Sequence, residues 1–136
     1  MKLLNMYIPL LFKIYFVAIA SATNLSLFLI LGYWHEQMRS DRDNFVEIKW
    51  DNIAKGNHDQ FRICNTCDLQ NLPYDIRSVM HYHWNSFAKD WTKPTIVSLT
   101  GVGANEIGQR NGFSDSDVIG INKLYCGNFD YRHTNI

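Results

Sequence analysis

The stretch LGYWHEQMRSDRDNF, residues 31–45, decides how this chain is read. Gly32 is followed three residues on by the pair His35-Glu36, and then by a polar run in which Arg39, Asp41, Arg42 and Asp43 crowd together. Charges set so close read as a solvated, salt-bridged turn that fixes the loop behind His35. Immediately after it, FVEIKW at 45–50 alternates Val46, Ile48 and Trp50 with Glu47 and Lys49, the period of a half-buried strand. Taken alone, a His-Glu pair is a polar surface pair; its flanks are what give it meaning.

Working outward, composition shifts at Gly32. Charges are nearly absent before it, and afterwards they are frequent with aromatics interleaved. The 136 residues have room for one small domain, and 46% hydrophobic with 14% aromatic content is globular rather than disordered. Thirteen basic residues balance thirteen acidic ones, and neither sign forms a block, which excludes nucleic acid and other polyanions as partners.

The N-terminus, MKLLNMYIPLLFKIYFVAIASATNLS, has a Lys at 2, a mostly apolar run from Met6 to Ala20 and small residues at Ala18, Ala20, Ser21 and Ala22. This is the arrangement of a cleaved secretory leader over 1–22. Lys13 interrupts the run, and a second run, LSLFLIL, follows within 23–31, so the two could instead form one membrane anchor. Either reading puts the chain on the export route, secreted or held at the membrane by its N-terminus, where disulfides are permitted. Asn24-Leu25-Ser26 is a formal glycosylation sequon whose apolar setting argues against use.

Downstream, 51–63 carries Ile53, His58, Phe61 and Ile63 at loose helical spacing and is expected to be a short helix. Residues 64–78 read as loop, VMHYHW at 79–84 has no clear period, and TIVSL at 95–99 reads as a strand. Ser114 with Asp117 three residues on predicts a capping-box start, Val118, Ile121, Leu124 and Tyr125 lie at helical spacing, and Gly127 follows as a stop. Three cysteines, Cys64, Cys67 and Cys126, make no four-ligand zinc site. Cys64 and Cys67 can bridge each other across a tight turn; the alternative, a thioredoxin-like redox motif, lacks the strand and helix that would frame it. His58 and His133 have no partner pattern and read as surface residues.

In long zinc signatures of the form HExxHxxGxxH, two histidines at i and i+4 share one helix face and the Glu between them acts as general base. The Gly allows a sharp turn, and the third His arrives from outside the helix. Gly32 and His35 have that spacing, and SVMHY at 78–82 resembles the Met-turn of the metzincins. LGYWHEQMRSDRDNF, SVMHY, KPTIV, IGQR and INKLYC, in that order, resemble the C-terminal half of an astacin-family metalloendopeptidase over residues 32–127, leaving 128–136 as a tail. The resemblance implies an α+β fold, the C-terminal subdomain of a metzincin-type catalytic domain, with Zn(2+) as cofactor and protein or peptide substrates. It implies His35 as third zinc ligand, Glu36 as the carboxylate that anchors a mature N-terminus, Met80 as the Met of the turn and Tyr82 as a tyrosine that can ligate zinc and stabilise the oxyanion. It also makes Cys126 half of a disulfide whose partner lies far upstream.

The departures weigh as much. Counting back from Gly32, the other two histidines belong at 29 and 25 and the Glu at 26; the chain has Leu29, Leu25 and Ser26. Leucine has no lone pair to give and serine is no base at neutral pH, so neither tight zinc binding nor catalysis is expected of this chain. His81 and His83, read as lying on one face of an extended segment opposite Tyr82, are not expected to substitute. The upstream cysteine and the family's N-terminal sheet lobe are missing too, and Arg77, His83-Trp84 and the Cys64/Cys67 pair are smaller departures. Two explanations stand: a truncated record of an active enzyme, or a secreted, catalytically dead homologue that binds or inhibits proteins.

Overall fold

A computed structural model of the chain describes residues 33–67 and 71–125. The leader, the positions of Leu25, Ser26 and Leu29, the turn glycine Gly32, Cys126, Gly127 and His133 lie outside the described residues.

The described part is a small α+β unit. Strand β1, Val46–Ile48, pairs antiparallel with β2, Ile96–Ser98, in the register Val46 to Ser98, Glu47 to Val97 and Ile48 to Ile96. Val46 and Ile48 are buried while Glu47 is exposed, as the alternation requires. The expected extension to Trp50 does not occur. Lys49 leaves the extended region (φ −88°, ψ 75°), and a 3-10 turn, Trp50–Asn52, begins with Trp50 at the surface. Asn52 stabilises this turn away from the strand: its amide donates to the carbonyls of Asp90, Lys93 and Pro94, which ties it to the loop that leads into β2.

The helix expected over 51–63 is replaced by two 3-10 turns, Trp50–Asn52 and His58–Phe61, with His58 exposed. Gly56, at φ +91°, separates them; that backbone conformation cannot continue a right-handed helix. Phe61 at the end of the second turn is fully buried, so the apolar spacing in the sequence marks two separate insertions into the core rather than one helical face.

Helix α1, Asp115–Tyr125, begins as the capping box predicts. The Ser114 hydroxyl accepts from the Asp117 N–H at 3.0 Å, and the Asp117 carboxylate accepts from the Ser114 N–H at 3.0 Å. Its buried face is Asp117, Gly120 and Ile121, whereas Leu124, expected on that face, is 46% exposed.

Two apolar clusters make the core. One gathers Val46, Ile48, Ile53, Phe61, Ile76, Tyr82, Ile96 and Ile107; the other gathers Val79, Met80 and Ile121, with Tyr33 and Phe113 against them. Residues 79–82 therefore cross from one cluster to the other. They run as a turn, with the His81 N–H donating to the Ser78 carbonyl at 3.1 Å, and not as the extended segment expected.

Candidate functional site

The site forms where the His35 segment is laid across this turn. The Met80 carbonyl accepts from the Glu36 N–H at 3.2 Å and from His35 Nδ1 at 3.1 Å. A carbonyl can only accept, so Nδ1 carries the proton and the lone pair of the neutral ring sits on Nε2. Burial lowers the pKa of His35; the Met80 bond opposes this, and the nearby Arg110 guanidinium lowers it further. The ring centroid of Tyr82 lies 4.5 Å from that of His35.

Tyr82 is pinned from two sides. Its N–H donates to Gln37 Oε1 at 3.1 Å, and its hydroxyl donates to Gln60 Oε1 at 3.3 Å. Burial raises its phenol pKa. Behind it, Gly108 packs so tightly that an added Cβ would lie 2.4 Å from the Tyr82 carbonyl oxygen and 2.5 Å from that of His81.

Glu36 is buried beside His35. Its Oε1 accepts from the Asp75 N–H at 2.9 Å and from Arg39 Nη1 at 3.1 Å, yet loss of hydration outweighs these bonds and raises its pKa to about 7. Asp117, whose carboxylate accepts from the Ser78 hydroxyl at 2.6 Å and the Val79 N–H at 3.1 Å, fastens α1 to the start of the turn. Glu36, Asp75 and Asp117 share a hollow of about 210 Å³ with His35 and Met80.

The polar run 39–43 is a salt-bridged turn as expected, with Arg39 on Asp41 and Arg42 on Asp43, but its arginines are not solvated. Arg39 is 9% and Arg42 3% exposed, and both guanidiniums work inward. Arg39 donates to the carbonyls of Leu72 and Pro73 and to Asp41 and Glu36. Arg42 donates to the carbonyls of Gln37 and Phe61. Arg39 spreads its bonds over Nε and both Nη nitrogens, and Arg42 gives Nη1 to its two carbonyls and Nε to Asp43, a division among several nitrogens that a single ammonium does not offer.

His81 is unavailable as a ligand for a reason other than the one expected. It is fully buried; its Nδ1–H donates to the Tyr82 carbonyl at 2.6 Å and its Nε2 accepts from the Tyr74 hydroxyl at 2.7 Å, so both nitrogens are committed. Burial lowers its pKa to about 4. His83 Nδ1 lies 2.9 Å from Asn85 Oδ1. Arg77 is held at the surface by Glu106 at 2.6 Å.

A zinc ion would find one fitting nitrogen here, His35 Nε2. Among the described residues no three His, Cys, Asp or Glu side chains converge as metal ligands. One imidazole and one phenol fall short of the three protein ligands of a catalytic zinc site, so the described residues alone do not complete one.

Gln37, Gln60, Gly108 and the inward arginines are the parts of the site that sequence reasoning missed. Gly108 lies in IGQR, a string that carries the resemblance, but nothing in the string says that it faces Tyr82.

His35, its outer nitrogen set by the Met80 carbonyl, and the Tyr82 ring alongside are thus brought together by the 79–82 turn. Residues 26–126 match the family model of the astacin peptidases, and the chain belongs to that family. It is 47% identical over 97 residues to human meprin A subunit beta and 47% identical over 104 residues to zinc metalloproteinase nas-37 of Caenorhabditis elegans. These alignments cover 70% and 75% of the chain but only 14% of either relative, so the chain spans about one seventh of the relatives' length. Among solved structures, high choriolytic enzyme 1, a hatching enzyme zinc-protease from the medaka fish Oryzias latipes, superposes with a TM-score of 0.63 at 40% identity. That match covers 69% of this chain and 46% of the medaka chain.

Proposed function

We propose that residues 32–127 are the C-terminal subdomain of an astacin-type catalytic domain, supplying the third-ligand position, the Met-turn and the tyrosine of a proteolytic centre. In the family, zinc supplies the electrophile for hydrolysis of peptide bonds in protein or peptide substrates. The observation that carries the reading is the His35 to Met80 bond, which orients a neutral imidazole in the way that zinc-bound histidines are oriented through their other ring nitrogen. The Tyr82 ring, 4.5 Å from that of His35, supports its reading as the family's oxyanion-stabilising tyrosine. The hollow holding Glu36 supports its reading as the anchor for an ammonium group, since a buried carboxylate near neutrality gains most from a cation.

This chain does not itself carry out the family's reaction. Leu25, Ser26 and Leu29 stand where two ligands and the base belong, and no described side chain replaces them. Export is the setting that suits the disulfide between Cys64 and Cys67. The test is hydrolysis of casein by the purified full chain with added zinc, beside an active astacin as positive control. Absence of chelator-sensitive cleavage is expected, and cleavage that EDTA abolishes and His35→Ala removes would overturn the inactive reading.

A further inference from the structure

We propose that the Cys64–Cys67 disulfide is a site of reversible thiol–disulfide exchange, and that opening it loosens the segment bearing His35 and Glu36. The bond joins residues three apart in sequence, so it closes very little chain and constrains the unfolded state weakly. Both cysteines are partly buried, but Asn65 and Thr66 between them are at the surface and the Cys64 Sγ to Thr66 Oγ1 contact is an exposed one, so a small thiolate can reach that sulfur.

The loop is tied directly to the functional segment. The Cys64 N–H donates to the Met38 carbonyl at 2.7 Å, and Arg39 and Cys64 form an isolated parallel bridge. Met38 and Arg39 lie at the end of the short turn Glu36–Met38 that starts at His35. On its other side the loop contributes Thr66 and Cys67 to the wall of the hollow that contains His35 and Glu36. Nothing among the described residues frames the pair as an oxidoreductase motif: no α-helix starts at Cys64, no strand leads into it, and Asn65 and Thr66 after it form a turn. The pair is therefore a substrate of exchange and not an exchanger.

The reductant is a small monothiol of the glutathione class. Its thiolate attacks one Sγ, the Sγ–Sγ bond breaks, and the other cysteine leaves as a thiolate that takes up a proton. A second thiolate then attacks the mixed disulfide and releases the first cysteine. The balance is one protein disulfide and two thiols giving one protein dithiol and one low-molecular-weight disulfide. The proposal stands on the loop's contacts alone and is independent of the zinc reading.

The full chain is equilibrated in glutathione buffers of increasing reduced fraction, trapped with iodoacetamide and digested with trypsin. The peptide of residues 63–77 holds both cysteines, whereas Cys126 falls on another peptide. Hydrogen exchange is followed in parallel. Opening of the pair in millimolar reduced glutathione is expected, with exchange at residues 35–39 and at the Cys64 amide quickened about tenfold while that of β1 is unchanged. The double variant Cys64→Ser/Cys67→Ser should exchange at the faster rate with or without reductant; if it does not fold, the wild-type titration decides. A pair that stays closed in that buffer, exchange at 35–39 unmoved by opening, or a rise throughout the chain would overturn the proposal.

Discussion

His35 Nδ1 and the Met80 carbonyl oxygen lie 3.1 Å apart, and this bond fixes which ring nitrogen faces outward. Because the acceptor belongs to the backbone, the arrangement is independent of the Met80 side chain. Nitrogen-15 chemical shifts at pH 7 should report a neutral His35 protonated at Nδ1, in wild type and in Met80→Leu alike. Burial lowers its pKa, so the ring should take up its second proton below the ordinary histidine range.

Gly108 should tolerate no side chain. Its φ is +59° and a Cβ would meet backbone atoms of His81 and Tyr82 that have no rotamer to yield. Gly108→Ala is expected to cost about 3 kcal/mol or more and to shift the Tyr82 ring resonances, read by chemical denaturation and proton NMR. Gly101, also at positive φ but in open space, serves as the control, with a smaller cost on substitution.

The buried arginines make a prediction about chemistry rather than charge. Arg42→Lys keeps the charge but is shorter and lacks both the Nη1 that donates to the carbonyls of Gln37 and Phe61 and the Nε that meets Asp43. It is expected to lose about 2 to 3 kcal/mol, close to the loss in Arg42→Ala, because buried carbonyls are left unpaired in both. Denaturant midpoints of the two variants check this.

These residues also show what the sequence conveyed and where it fell silent. Ser114 and Asp117 were legible because a capping box is local, with both partners three residues apart. Strand β1 was legible from its period-two alternation, and β2 from the run TIVSL after Pro94. The tether from Asp117 to Ser78, and the fate of Arg39 and Arg42, depend on carbonyls and hydroxyls some 20 to 40 residues away, which no local pattern encodes. A charged run looks the same whether it faces water or a set of unpaired carbonyls. The Gly32 to His35 spacing pointed to the family, whereas the reason His81 has no ring nitrogen to spare required seeing Tyr74 against its ring.

Stability should depend on pH through opposed groups, Glu36 on one side and on the other the buried histidines, His81 foremost with His35 acting in the same sense. Glu36 has its folded pKa raised to about 7 by burial, so its contribution is full below the ordinary carboxylate pKa and is lost as pH rises through about 7. His81 has its folded pKa lowered to about 4 by burial, so stability is lost as pH falls from the ordinary histidine pKa through about 4. The two slopes offset each other between roughly pH 4.5 and 6.5. Glu36→Gln removes one of them, and its unfolding free energy should rise with pH across that window more steeply than the wild type's, by about 2 to 3 kcal/mol in total.

The central claim is that one correctly presented imidazole does not make a zinc site when Leu25 and Leu29 occupy the companion positions. The most direct measurement is the zinc content of the purified full chain, after dialysis at neutral pH against zinc-free buffer, by inductively coupled plasma mass spectrometry. A content far below stoichiometric, the same in wild type and His35→Ala, is the expected result. One zinc ion per chain that His35→Ala removes would contradict it.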